Sequence, residues 1–69
     1  MRRYKCEIYE NGKLVKVLKL NLSVGFGGGD AFELFDIKAA SLGYNINQCN
    51  IFEYEYNEVS GDYQWLQLF

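Results

Sequence analysis

Residues 4–17, Tyr4-Lys5-Cys6-Glu7-Ile8-Tyr9-Glu10-Asn11-Gly12-Lys13-Leu14-Val15-Lys16-Val17, decide how this chain folds. Tyr4, Cys6 and Ile8 alternate with Lys5, Glu7 and Tyr9, the period of a strand with two unlike faces. Asn11-Gly12 follows. A two-residue hairpin loop of type I′ needs positive φ at both positions, and Asn and Gly adopt it at least cost. With these two as the loop, the numbers of facing residues sum to 23. Ile8 then faces Val15, Cys6 faces Val17 and Glu7 faces Lys16, an apolar ladder on one side and a cross-strand ion pair on the other. The first hairpin spans residues 3–22.

Beyond Val17 the second strand changes phase. Val15 and Val17 continue one face, whereas Leu14, Leu18, Leu20 and Leu22 line the other. A strand apolar on both sides is either bulged or covered on both sides. Cover on both sides means a second copy or a partner, so Leu18, Leu20 and Leu22, with Leu34 and Ile37, form a candidate self-association surface for a homodimer. Residues 23–29 are a glycine-rich crossover. Asp30, with Glu33 three residues on, is a near match to a capping box and places the helix at 30–42, with Gly43 to terminate it. Phe32, Phe35, Ala39 and Leu42 share one arc as the sheet-facing stripe. Leu34 and Ile37 fall outside that arc.

The second hairpin occupies residues 49–69. Phe52, Tyr54 and Tyr56 alternate with Ile51, Glu53 and Glu55; Ser60-Gly61-Asp62 marks the turn; Tyr63, Trp65, Gln67 and Phe69 alternate with Gln64, Leu66 and Leu68. A right-handed crossover through the helix sets strand three antiparallel beside strand one. The expected architecture is a small α+β domain of order ββαββ. Its four-stranded antiparallel sheet runs 2-1-3-4, one helix packs on one face, and residues 1–69 form a single domain.

Such a chain has little chemistry to offer. It has no histidine, so Ser23, Ser41, Ser60, Cys6 and Cys49 lack an imidazole base, and the cysteines lack metal-ligand spacing. The run Gly25–Asp30 lacks the lysine and hydroxyl of a phosphate loop, and Asp30 sets negative charge where phosphate would sit. Glu53 and Glu55 stand about 6.6–6.8 Å apart by strand rise. Paired carboxylate catalysis uses separations of that order, but a chain this short supplies no cleft walls. No catalytic residue, cofactor or metal site is expected, and the chain is not expected to be an enzyme. No apolar run is long enough to span a bilayer and none follows the first arginines, so the expectation is a cytoplasmic protein with reduced thiols.

Charge and rings point to binding. Residues 1–29 hold six basic and two acidic side chains, a net of +4, and residues 30–69 hold one basic and seven acidic, a net of −6. That asymmetry implies pairing of the halves or a dipolar surface that orients a partner. In the second hairpin, loop parity decides which face is open. An even loop groups Tyr54 and Tyr56 with Tyr63 and Trp65; an odd loop groups them with Leu66 and Leu68. The odd arrangement is expected, and it leaves Glu53, Glu55, Tyr63 and Trp65 exposed as a partner-binding surface, the rings as anchors and the carboxylates complementing a basic groove. That describes a small acidic non-enzymatic protein that docks on a larger protein with a basic nucleic-acid-binding surface and inhibits or modulates it. By analogy with other compact acidic proteins of one sheet and one helix, the expectation extends to a phage or mobile-element inhibitor of host defence or nucleic-acid-handling machinery. The alternative is a nucleic-acid-binding module gripping through Arg2, Arg3, Lys5, Lys13, Lys16 and Lys19 with Tyr4 and Tyr9. The Glu7–Lys16 pair, the acidic third strand alongside and a pI ≈ 4.9 weigh against direct contact with nucleic acid.

Overall fold

A computed structural model describes residues 1–69. In chain order the elements are β1 (Arg2–Glu10), β2 (Lys13–Leu22), α1 (Gly28–Ser41), a single 3₁₀ turn (Ile46–Gln48), β3 (Cys49–Asn57) and β4 (Asp62–Gln67). Every neighbouring pair is antiparallel and the sheet order is β2-β1-β3-β4. This is the α+β architecture that strand alternation and the crossover rule led us to expect.

The first hairpin turns at Asn11 (φ 51) and Gly12 (φ 77), both left-handed as a type I′ loop requires. One step further the register departs from expectation. Glu10 faces Lys13 and Tyr9 faces Leu14, but Ile8 faces Lys16, Glu7 faces Val17 and Cys6 faces Leu18. Val15 is the extra residue of a β-bulge, and it reverses the faces of the rest of β2. Leu18, Leu20 and Leu22 therefore join Tyr4 and Cys6 on the helix side and pack against the core. The phase change is a bulge within one chain, so these three leucines are not the surplus surface that self-association required. The expected Glu7–Lys16 pair is likewise corrected: Glu7 meets Lys5 at 3.2 Å, on its own strand.

Helix α1 begins before Asp30. Gly27 is its N-cap, and Asp30, the third helical residue, accepts a hydrogen bond from the Gly27 N–H at 2.8 Å. Asp30 thus performs the reach-back expected of Glu33. Gly28 has a steric reason, since a Cβ there would stand 3.0 Å from Leu68 Cδ1. At the other end, Tyr44 N–H donates to Ala39 C=O at 2.9 Å and Gly43 N–H to Ala40 C=O at 3.0 Å, with Gly43 at φ +87. That is a Schellman motif. The buried stripe is Ala31, Phe35 and Ala39, with Phe32 beside it tilted against Phe69 at 4.9 Å. Leu42, expected in the stripe, is exposed at the helix end.

Only 8 of 69 residues are buried: Tyr4, Cys6, Ile8, Ala31, Phe35, Ala39, Ile51 and one carboxylate, Glu53. Cys6 and Cys49 are free thiols on neighbouring strands, two positions out of register on the same face. Burial, with a hydrogen bond to Cys49, pushes the Cys6 thiol up to about 12. The molecule's shortest dimension is 14 Å, room for one helix on one sheet face and no third layer.

Candidate binding surface

The second hairpin has an even loop. Tyr54 faces Trp65, Tyr56 faces Tyr63, and Asn57 faces Asp62, leaving Glu58–Gly61 as the connection. Asn57 sets this length: its Oδ1 accepts from Val59 N–H at 2.9 Å, and its carbonyl from Gly61 N–H at 2.8 Å, with Gly61 at φ +74. The expected odd loop is corrected, and with it the expected grouping. Tyr63 and Trp65 share a face with Tyr54 and Tyr56, while Glu53 and Glu55 lie on the opposite face with Leu66.

Glu53 is 5% exposed. It accepts from Arg2 Nε and Nη2, both at 2.8 Å, and Arg2 Nη1 donates to the Phe26 carbonyl at 2.8 Å. One guanidinium therefore ties β1, β3 and the crossover together. The hydrogen bond to Glu53 holds Arg2 above its usual pKa. The Tyr4 hydroxyl beside them is buried without a hydrogen-bond partner, and burial raises its pKa, with the Glu53 charge adding to the effect. Glu53 is thus withdrawn from any partner while the fold is intact, and Arg2, though partly exposed, is held by its two acceptors. Lys13 and Lys16 face the helix side of the hairpin, so the basic grip expected of the first hairpin divides between two faces.

What remains is the sheet face that no element covers. Its rings touch one another: Tyr54 and Trp65 at 4.9 Å, Tyr54 and Tyr63 nearly parallel at 5.4 Å, Tyr56 and Tyr63 edge-on at 5.3 Å. These are the offset and tilted geometries that aromatic quadrupoles favour. Lys5 Nζ lies 4.9 Å from the Phe52 centroid and 4.8 Å from that of Trp65, besides its contact with Glu7. Arg3 stands 5.7 Å over Tyr54. Tyr63 keeps 61% of its surface in solvent, Tyr56 54% and Trp65 37%. Two shallow depressions flank Arg3. One of ≈ 290 Å³ is lined by Met1, Arg3, Tyr54 and Tyr63. The other, ≈ 240 Å³, is lined by Arg3, Tyr4, Lys19, Asn21 and Trp65.

Charge is sorted between faces. Of the nine carboxylates only Glu7 shares the ring face, beside the cations Arg3, Lys5 and Lys19. Arg3, Lys19, Tyr54 and Tyr56 were not singled out as one site by the sequence; a correct loop parity would have joined Tyr54 and Tyr56 to Tyr63 and Trp65, whereas Lys19 comes to this face only through the Val15 bulge. On the opposite side Leu34 and Ile37 remain 45% and 68% exposed, and a groove of ≈ 290 Å³ lies beside Leu34, floored by Leu18, Leu20 and Phe35. No helix is long and apolar enough to cross a membrane. Comparison with protein-family models, curated proteins and solved structures gave no match.

Proposed function

We propose that this chain is a non-enzymatic binding protein that acts by docking its open sheet face on a partner macromolecule and modulating it by occupancy. One observation carries the reading: rings of Phe52, Tyr54, Tyr56, Tyr63 and Trp65 lie together on a face that the core does not use. Aromatic side chains are large and rigid, they lose little entropy on docking, and they are over-represented among the residues that dominate binding energy. A face of this kind kept open at the expense of solubility is best explained by a ligand. Glu53 has left the surface originally expected, so the anchors are Tyr63 and Trp65 with Tyr54, Tyr56 and Arg3.

Capture from a lysate of the encoding organism tests the location. Tyr63→Ala and Trp65→Ala are expected to fold and to lose the captured partner, while Leu34→Ala and Ile37→Ala on the helix keep it. The reverse pattern would move the working surface to the helix.

A further inference from the structure

We infer that the open face takes a single-stranded nucleic acid, with bases against Tyr63 and Trp65 and phosphates beside Arg3 and Lys19. The inference rests on the open face being the working surface and adds the chemistry of its occupant.

Both depressions beside Arg3 combine a ring wall with a cation: Tyr54 and Tyr63 with Arg3 in one, Trp65 with Arg3 and Lys19 in the other. That pairing suits an unstacked base followed by its phosphate, because every base has a π face and every linkage a negative charge. A duplex is a poor occupant. Its bases are stacked on each other, and its grooves admit a protruding helix or ribbon where this surface is a sheet face. Rings with Arg3 would also suit a protein interface; what favours a strand is Lys5 and Lys19 beside those rings, because lysine is depleted at the centres of protein interfaces and a strand brings a phosphate with every base.

The net charge of −2 does not decide the matter. Three cations against Glu7 leave the ring face positive, and the other eight carboxylates lie on the helix, the helix side of the sheet or its loops. The molecule is 14 Å thick, and at about 0.1 M salt the screening length is only ~10 Å, so the acidic side is weakly felt across it. Lys5 is paired with Glu7, whereas neither Arg3 nor Lys19 has a carboxylate partner, which leaves those two for phosphate. Two neutralised phosphates on a single strand give a log–log salt slope of about −1.4. Binding carried by stacking, with shallow salt dependence, is the signature.

Trp65 is the only tryptophan, so its emission reports on the face directly. Full-length protein is titrated with oligothymidylate and oligouridylate of about 12 nucleotides between about 50 and 200 mM salt. Saturable quenching is expected with Kd on the order of 10–100 µM, and Tyr63→Ala, checked for fold by circular dichroism, should weaken it about 5- to 150-fold. Arg3→Gln and Lys19→Gln should each flatten the salt slope by about 0.7, and a duplex of the same length should not quench. Absence of a saturable response at millimolar strand overturns the inference. So does an unchanged affinity in Tyr63→Ala, or equal binding of the duplex. If strands fail while Tyr63→Ala and Trp65→Ala lose a captured protein, the occupant is a protein and the open face stands. If those variants keep their capture, the reading of the face falls as well.

Discussion

Glu53 accepts from two nitrogens of Arg2 at 2.8 Å, and its side chain keeps 7% of its surface in solvent. Removing one partner of such a pair strands a charge where water cannot reach it, which costs far more than the pair itself contributes. Arg2→Ala should therefore lower stability by about 3 kcal/mol, against the ~0–1 kcal/mol of an exposed ion pair. Glu53→Gln, which keeps the shape and one acceptor, should lose less, and Glu53→Lys should not fold. Urea midpoints at neutral pH measure all three; a near-zero loss for Arg2→Ala would mean the carboxylate is hydrated after all. The sequence offered no sign of this role, because the arginine is 51 positions away and alternating glutamates beside tyrosines read as a solvated face. Cys6 makes a pH-dependent prediction. Its folded pKa of about 12 lies above the ordinary 9.0, so between these values the unfolded chain has released a proton that the folded chain retains. Stability from the protonated thiol is whole below pH 9.0 and is lost as pH rises toward about 12. The midpoint should fall between pH 8.5 and 10.5, less steeply in Cys6→Ala, with iodoacetamide at about pH 8 labelling the partly exposed Cys49 and sparing Cys6.

At the scale of elements, two adjacent glycines in the first turn of α1 separate propensity from packing. A Cβ on Gly29 meets nothing within 4 Å, whereas one on Gly28 stands 3.0 Å from Leu68 Cδ1. Alanine removes the conformational entropy penalty of glycine in either place, a gain of about 0.5–1 kcal/mol. Gly29→Ala should realise that gain as a higher melting temperature. Gly28→Ala requires the Leu68 side chain to give way by a few tenths of an ångström, and its gain should be smaller than that of Gly29→Ala, vanish or reverse. The glycine run is thus helix start and close packing as much as crossover. What was legible at this scale followed from backbone chemistry: Asn11-Gly12 forced the turn, Gly43 ended the helix, and the crossover rule fixed the strand order. Register was not legible. One unpaired Val15 in β2 and a fourth loop residue before Asp62 each exchange the two faces of a strand. Side-chain pattern could not arbitrate, because Ile51, Leu66 and Leu68 on one face of the second hairpin compete with Phe52, Tyr54 and Trp65 on the other.

The whole molecule is a helix and a sheet face holding a core of seven apolar residues, with about twice as many large apolar side chains left exposed outside it. Domains fold with about 0.05–0.15 kcal/mol per residue, so a chain of 69 residues has roughly 3–10 kcal/mol in hand, and a core this thin belongs at the lower end. Ile51→Ala, at about 2–5 kcal/mol, would remove most of it. Tyr63→Ala and Trp65→Ala should each cost far less, because Tyr63 rests on Tyr54 and Tyr56, and Trp65 on Tyr54 and Lys5, all outside the core. Small reserves also make binding conspicuous. A ligand that binds only the folded state, at a free concentration of about 100 times its Kd, adds about 2.7 kcal/mol. In a domain of this size each kcal/mol moves the midpoint by about 4–8 °C, so the true occupant of the open face should raise Tm by roughly 10–20 °C. The same ligand should leave the Tyr63→Ala, Trp65→Ala double variant unmoved, while a Leu34→Ala, Ile37→Ala variant shifts as the parent does. A shift that survives loss of both rings and disappears with the two helix residues would locate the occupant over α1, in the groove floored by Leu18 and Leu20, and would leave the open face without a function.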